Sequence, residues 1–290
     1  MVEIRTLGEL TVFDAGRRIR LPTKKHFALL VYLAAHPDRP FLRDRLAALL
    51  WGESPDRRAR HSLNQTLYGL RKCIPSLAVQ VTTQEVTMPA GAVSADFLAF
   101  RWAVEHADYR EASRLYSGDF LEGFAVPGSP EFEEWQETQR ESLKRQAVLS
   151  LSYLLDEEER SGNWDKVEEL ASRILRLDPF RRSAVGARIR AIAARGDLRR
   201  ARAELQRAKE MMGYELADVL ENLHLAALGT LGDRIPDGSI LEDYEDFSPT
   251  KFVGRVEPYR KICAEWMKVQ SGCGRAVIVS GEAGIGKTRF

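Results

Sequence analysis

The most specific chemical motif in the sequence is a glycine-rich segment near its end. Residues 281–288 read GEAGIGKT, which satisfies the pattern G-x-x-x-x-G-K-[ST], and they follow AVIVS, a run typical of a buried strand. In such a loop, backbone N–H groups surround phosphate oxygens, a lysine reaches the β- and γ-phosphates, and a hydroxyl helps to hold Mg²⁺. We expect ATP and Mg²⁺ as cofactors, with Thr288 on the metal and the nucleotide on Gly281, Glu282, Ala283, Gly284, Ile285, Gly286, Lys287 and Thr288.

A complete nucleotide site needs more than this loop. The sequence ends at Phe290, before any strand that could carry a second metal-binding carboxylate and before the helix that the loop would cap. We therefore expect the sequence to be the N-terminal part of a longer protein, with a P-loop ATPase domain that begins near residue 251. Whether the whole protein is an enzyme stays open.

A second candidate site lies on a helix predicted over residues 59–73. Leu63, Leu67, Leu70 and Ile74 recur at spacings of 4, 3 and 4, which predicts one buried stripe. An α-helix fits the major groove of B-DNA, where base edges require donors and acceptors. The opposite face and its flank carry such side chains: Arg57, Arg58, Arg60, His61, Asn64, Gln65, Tyr68, Arg71 and Lys72.

Each side-chain type on this face suits a different part of DNA. The two amides suit adenine, the arginines within the helix suit guanine or phosphate, and the cations at its ends would mainly neutralise phosphates. Tyr68 suits a phosphate or a thymine methyl group. A solvated amphipathic helix has the same pattern, and the helix taken alone favours that interpretation.

The surrounding elements favour DNA binding instead. Before the polar helix, the pattern predicts strands at 2–7, 10–13 and 18–21, a helix capped by Thr23 that runs to about residue 36, a helix at 43–50 and a loop at 53–58. After it, residues 79–81 and 85–88 predict a hairpin. This order is typical of a winged helix-turn-helix of the response-regulator type, an α+β fold.

The charge distribution agrees with that interpretation. Residues 1–92 hold 14 Lys or Arg against 8 Asp or Glu, whereas residues 93–235 hold 21 against 26. A basic head on an acidic body suggests that only the head meets a polyanion, although ordinary scatter would also produce this difference. The hairpin at 79–88 has no Lys or Arg, so we expect the helix and its arginines to supply most of the DNA contact.

The rest of the chain is mainly helical and offers no catalytic constellation. Helical periodicity covers about 95–228, and GNW at 162–164 and GDL at 196–198 lie 34 residues apart, the period of tetratricopeptide-like repeats. We expect Trp102, Trp135 and Trp164 to pack helices, and the acidic clusters at 131–134 and 156–159 to be solvated helix faces. The predicted domains are 1–92, 93–231 and 251–290, with a linker at 232–250 that is rich in Pro, Gly and acidic residues.

Composition excludes several other classes. No apolar run approaches the roughly 20 residues of a membrane-spanning helix, and the first residues lack the layout of a signal peptide. The three cysteines are too scattered for a disulfide framework or a zinc site. We therefore expect a cytoplasmic protein with no membrane partner.

Taken together, these segments resemble the antibiotic regulatory protein type of bacterial transcriptional activators, in its large form with an appended signal-transduction ATPase. The head is similar in ALLVYLAAHPDRPFLRDRLAALLWGE at 28–53 and RHSLNQTLYGLRK at 60–72. The body is similar to a bacterial transcriptional activator domain in SADFLAF at 94–100, LYSGDFLEGF at 115–124 and EFEEWQETQRE at 131–141. FVGR at 252–255 resembles the start of the ATPase domain.

The resemblance implies a head that binds direct repeats in duplex DNA near a promoter, usually as a pair of molecules. It implies that the loop at 51–58 faces RNA polymerase, that the helical body supports dimerisation, and that ATP gates a larger assembly. It implies no phosphoacceptor domain. Two alternatives stay open: a signalling ATPase whose head does not bind DNA, and a plain tetratricopeptide-like scaffold.

Overall fold

The computed structural model describes residues 2–212, and within this range the chain forms seven strands and nine helices. The protein is mainly helical, with a small sheet and a winged-helix region at the N-terminus followed by an all-α region. The predicted linker at 232–250 and the P-loop at 281–288 lie outside the described residues, as do the predicted helical residues after 212.

The winged-helix head alternates short strands with three helices. In chain order its elements are β1 Val2–Arg5, β2 Thr11–Asp14, β3 Arg17–Ile19, α1 Lys24–Ala34, β4 Phe41–Leu42, α2 Arg43–Trp51, α3 Asp56–Cys73, β5 Gln80–Val81 and β6 Glu85–Thr87. Strand β7, Val93–Ala95, then leads into the body. The predicted strands, helices and hairpin are all present, and most are a few residues shorter than predicted.

Two sheets frame the three helices. The first has the strand order β3-β2-β1-β7, in which β1 is antiparallel to β2 and parallel to β7. The second has the order β4-β6-β5 and contains the hairpin, so that Phe41 pairs with Val86 and Gln80 with Thr87. Because β4 runs directly into α2, the second sheet holds the start of α2 against the hairpin.

Helix α3 begins earlier than predicted. Residues 53–58 were expected to be a loop because of Pro55, but the helix begins at Asp56, and Pro55 occupies the N-cap position. The carbonyl of Pro55 accepts hydrogen bonds from the N–H groups of Arg58 and Ala59 at 2.8 and 3.0 Å. Proline is tolerated at a helix start because N–H groups there lack intrahelical partners. The turn between α2 and α3 is therefore only residues 52–55.

Thr23 also differs from its predicted role. It stands at the N-cap position of α1, but its side chain caps no backbone N–H group. Its Oγ1 is instead 2.7 Å from Nδ1 of His26. The hydroxyl therefore orients a buried histidine.

The body consists of six helices within the described range. They are α4 Asp96–Glu105, α5 Tyr109–Leu115, α6 Pro130–Arg160, α7 Trp164–Leu177, α8 Arg182–Ala194 and α9 Leu198–Met212. Residues 116–129 are not helical, although helical periodicity was expected through them. This segment instead pairs with the residues just after β1, where Leu121 N–H donates to the carbonyl of Thr6 at 2.9 Å and Leu7 forms a bridge with Phe120.

Head and body share one hydrophobic core. A continuous cluster of buried side chains runs from β1 and α1 of the head to Phe132 and Leu143 of α6. Three ring contacts cross between them: Phe27 with Phe124 at 5.3 Å, Tyr32 with Trp135 at 5.0 Å, and His36 with Trp135 at 6.1 Å between centroids. A domain boundary after residue 92 stays a prediction, and β7, which is hydrogen-bonded to β1, lies just beyond it.

Some of the predicted roles in the body were wrong. Trp135 and Trp164 pack among buried side chains, but Trp102 is 57% exposed and stacks on His106 of its own helix turn. Glu158 is buried and accepts from Asn163 at 2.5 Å, and Glu159 pairs with Arg190 at 2.5 Å. The cluster at 156–159 is therefore partly structural, because α6 is packed there against α7 and α8.

Candidate nucleic-acid interface

Helix α3 separates its side chains into a buried stripe and an exposed polar face. Leu63 and Leu70 are almost completely buried in the head, as the spacing predicts. The nine polar residues proposed to meet DNA are all solvent-exposed: Arg57, Arg58, Arg60, His61, Asn64, Gln65, Tyr68, Arg71 and Lys72. Arg57 and Arg58 lie in the first turn of the helix, not in a preceding loop. The structure thus places all nine on one helix.

The face borders two grooves. Arg60 and Asn64 line an open groove of about 1060 Å³ between α3 and the hairpin, closed at its far side by Thr82 and Gln84. His61 and Gln65 line a second groove of about 540 Å³ on the other side of α3, against Lys24 of α1. The two amides, each of which was expected to suit adenine, therefore lie toward opposite flanks of the helix.

Two side chains outside the predicted set bind the polar residues that line the first groove. Arg43, the first residue of α2, donates from Nη1 to the carbonyl of Thr82 at 2.7 Å and from Nη2 to Oδ1 of Asn64. The next residue, Asp44, binds Arg60 through two contacts, Nε to Oδ1 at 2.6 Å and Nη2 to Oδ2 at 2.8 Å. The two α3 residues lie four positions apart, so the start of α2 holds successive turns of the polar face.

Arg71 is also held within the protein, since its Nη2 donates to the carbonyl of Val79 at 2.8 Å. This contact joins the last turn of α3 to the approach of the hairpin. The other polar side chains have no hydrogen bond or ion pair to residues in the range 2–212; they are Arg57, Arg58, His61, Gln65, Tyr68 and Lys72. These six are unengaged and accessible to a ligand.

A close helix contact fixes how α3 packs on α1. A Cβ added to Gly69 would lie 2.4 Å from Nε2 of His26, so glycine is needed where the two helices meet. His26 is buried, and burial lowers the pKa of its imidazole. The neutral ring thus serves as a spacer between the helices.

The contact between head and body lies next to the start of α3. The carbonyl of Leu50, near the end of α2, accepts from Nζ of Lys25 and from Oγ of Ser129, each at 2.6 Å. Ser129 is the N-cap residue of α6. Arg45 also pairs with Glu131 in the first turn of α6 at 3.1 Å. The turn at 52–55 therefore emerges between the head and the body.

Sequence reasoning missed Arg43 and Asp44. Both lie on α2, 21 and 16 residues before their partners on α3, and nothing local in the sequence pairs these positions. The only available signal was that they begin the helix before the predicted reading helix. The hairpin lacks a cation of its own, yet the fold brings the guanidinium of Arg43 to its tip.

Within 2–212, no group of three or more His, Cys, Asp or Glu side chains is arranged to hold a metal ion. No helix in that range is long and apolar enough to cross a membrane. Cys73 is a free, half-buried thiol.

The winged-helix head, its exposed polar helix and the all-α body define a class, the DNA-binding transcription regulators. Residues 16–85 match the family described as "Transcriptional regulatory protein, C terminal", and residues 91–227 match the "Bacterial transcriptional activator domain". By its head and body, the chain therefore belongs to the bacterial transcriptional activators of the antibiotic regulatory protein type, which join these two domains. This part of the resemblance seen in the sequence is confirmed, and the appended ATPase stays a prediction.

A solved structure has the same fold. Mycobacterium tuberculosis EmbR, in complex with a low-affinity phosphopeptide, superposes with a TM-score of 0.57 at 18% sequence identity, over 93% of this chain and 71% of that one. At this identity the similarity shows the fold alone. No curated protein matches the chain.

Proposed function

We propose that this protein binds specific duplex DNA sites by laying α3 in the major groove. One observation carries the proposal: the polar face of α3 is exposed along the whole helix, while its opposite face is buried in the head. A helix presented in this way fits the major groove, where its amides and arginines can meet base edges. The basic head supplies long-range attraction to the phosphates.

The unengaged residues divide into two roles in this proposal. Gln65 and His61 lie in the middle of α3 and would contact bases, whereas Arg57, Arg58 and Lys72 lie at its ends and would contact phosphates. Arg60, Asn64 and Arg71 would meet DNA from positions set by their partners in the protein.

The test measures binding of the full chain to duplexes selected from a randomised pool. Gln65→Ala should relax the preference at one position of the selected site. Arg57→Gln should weaken binding to every duplex alike and reduce the slope of log K against log salt by about 0.9, since one phosphate contact is lost. Lys209→Gln, in the body, is the control and should change neither. Failure of the wild-type chain to enrich any sequence at low salt would refute the proposal.

The finer features of activation are also part of the proposal. We infer that two molecules bind direct repeats, that RNA polymerase is contacted through the exposed turn at 52–55 and the adjoining residues of 51–58, and that the protein acts in the cytoplasm. The turn at 52–55 supports the contact with RNA polymerase because it is accessible and lies where head and body meet. Substitutions there, such as Glu53→Ala, should reduce transcription in vitro without changing DNA affinity.

We also propose that a nucleotide controls the assembly of the protein, and this proposal is based on the sequence motif at 281–288. ATP with Mg²⁺ bound there would gate a dimer or a larger assembly on DNA, with Lys287 on the phosphates and Thr288 on the metal. In the whole protein, Lys287→Ala should abolish nucleotide-dependent assembly, measured by light scattering with and without ATP. A tetratricopeptide-like packing of the body would supply the assembling surface.

A further inference from the structure

We propose that Arg43 determines the sequence preference of the protein by fixing the orientation of the Asn64 amide, without contacting a base itself. Because Asn64 meets a base only if α3 reads DNA, this role of Arg43 depends on the proposed function. The residue lies outside the reading helix, at the junction of β4 and α2.

Arg43 is anchored at three points. Its backbone N–H donates to the carbonyl of Gln84 at 2.8 Å, and its Nη1 donates to the carbonyl of Thr82 at 2.7 Å. Its Nη2 donates to Oδ1 of Asn64. The first contact ties the backbone of Arg43 to the hairpin tip, the second ties its guanidinium there, and the third joins that guanidinium to α3. The side chain is half-buried, and two of the five N–H donors of its guanidinium are bound within the protein.

Hydrogen-bond chemistry then decides which atoms Asn64 presents. A guanidinium has only donors, so the amide must turn its carbonyl oxygen toward Arg43. The Nδ2 group, which has two donors, is left on the open side of the groove. Without the guanidinium, the amide could rotate by a half turn and present its oxygen there instead.

The presented atoms select among bases. A donor group suits the acceptors of the major groove, which are N7 and O6 of guanine, N7 of adenine and O4 of thymine. Cytosine offers only its N4 donor there and is disfavoured. With Arg43 in place, the base nearest Asn64 should therefore be one that accepts, and cytosine should be excluded from that position.

The experiment selects sites from a randomised duplex pool with the full chain and its variants. Arg43→Met keeps the aliphatic stem and removes every donor. It should raise tolerance of cytosine at one position by roughly fivefold or more, a size typical of one base contact. Asn64→Ala should relax the same position, and the double variant should relax it no further. Arg45→Met is the matched control, because that arginine pairs with Glu131 away from the groove, and its selected site should equal the wild-type site.

Asn64→Asp provides an independent measurement should Arg43→Met fail to fold, which thermal unfolding will show. The carboxylate keeps its contact with Arg43 but presents only acceptors, so this variant should select cytosine where the wild type excludes it.

Three results would overturn the role of Arg43. Arg43→Met could weaken all duplexes equally and lower the salt slope by about 0.9, which would make Arg43 a phosphate contact. It could relax a position different from that of Asn64, with additive effects, which would make it a base contact. It could leave the selected site unchanged, which would make the contact with Asn64 irrelevant. By contrast, if the wild type selects no site, the proposed function itself fails.

Discussion

Arg60, on the exposed polar face of α3, is already paired with Asp44 within the protein. The pair is exposed on both sides, so its direct contribution to folding stability is small. We expect a larger effect on DNA binding, because the Asp44 carboxylate beside the groove repels phosphates and occupies two donors of the Arg60 guanidinium. An acid in this place reduces affinity for any duplex while it limits where the arginine can reach.

Asp44→Asn should therefore strengthen binding to random-sequence DNA and weaken discrimination. The freed Arg60 would contact a phosphate, so the slope of log K against log salt should steepen by about 0.9. The measurement is fluorescence anisotropy with a random-sequence duplex over a range of salt concentrations. Glu9→Gln is the control, since Glu9 forms a similar exposed pair with Arg18 on the first sheet. Weaker binding by the Asp44 variant would contradict the expectation.

The exposed polar face of α3 could be predicted from the sequence, but the partners of its side chains could not. Helical spacing alone separates Leu63 and Leu70 from Asn64 and Gln65. Hydrogen bonds from Arg43 and Asp44 depend on how α2 crosses α3, and that geometry is absent from any local pattern. The sequence could not show that the two amides border different grooves, because the far side of each groove belongs to another element.

At the scale of elements, the packing of α3 depends on the meeting of Gly69 with His26. Gly69→Ala would place Cβ 2.4 Å from the imidazole, which is buried and cannot simply move into solvent. We expect the free energy of unfolding to fall by about 1–3 kcal/mol, the usual cost of overpacking. Chemical denaturation followed by tryptophan fluorescence measures it.

The second variant for this contact is His26→Ser, which removes the ring that the added methyl group meets. In that background Gly69→Ala should cost much less, because the space is open, and alanine is also the better helix former. An equal loss in both backgrounds would mean that the clash is not the cause.

His26 also predicts how stability depends on pH. Burial lowers its pKa in the folded state below the ordinary value of 6.5, so the unfolded chain binds the proton more readily. Its contribution to stability is complete above about pH 6.5 and is lost as the pH falls below this value toward the folded-state pKa. His36, whose pKa burial also lowers, acts in the same direction.

His26→Gln should therefore reduce the loss of stability between pH 7 and pH 5 without abolishing it, because His36 remains. Thermal unfolding across this pH range provides the measurement. His61→Gln, on the exposed face of α3, is the control and should retain the wild-type slope. An unchanged slope in the His26 variant would show that the ring does not titrate with unfolding.

At the scale of the whole molecule, the head and body within residues 2–212 are held together by the hydrogen bonds of one part-buried carboxylate as well as by their shared core. Asp96, the first residue of α4, accepts from the N–H groups of Thr6 and Leu7 at 2.8–2.9 Å and from Oγ1 of Thr6 at 2.7 Å. One carboxylate thus pairs the end of β1 with the start of the body, next to the ladder between β1 and β7.

Asp96→Ala should lower the free energy of unfolding by about 3 kcal/mol, because it removes hydrogen bonds to a charged group and leaves part-buried N–H groups unpaired. Unfolding should still occur in one transition, since the core is continuous. Asp108→Ala is a milder control: that carboxylate caps α5 with a single bond to Glu111 N–H at 3.1 Å, worth about 1 kcal/mol. Two separate transitions in the Asp96 variant would show that head and body unfold independently.

The continuity of head and body was beyond sequence reasoning. Periodicity predicted the helices of each part, and the prediction of almost continuous helix over about 95–228 did not single out residues 116–129. In the structure Phe120 and Leu121 of this segment are buried in the core that head and body share, and Phe120 pairs with Leu7 just after β1. Only the three-dimensional arrangement shows that a segment of the body completes the core of the head.

The rigid connection between α2 and the start of α6 has a geometric consequence on DNA. Helix α6 has 31 residues and is about 46 Å long, at roughly 1.5 Å per residue. One base pair inserted between two bound copies rotates the second copy by about 35° around the duplex, since a turn holds roughly 10 base pairs. If α3 binds DNA as proposed and two copies occupy neighbouring sites, their helical bodies would face each other only at certain spacings. The body would then select the spacing of the binding sites, while α3 would select their sequence.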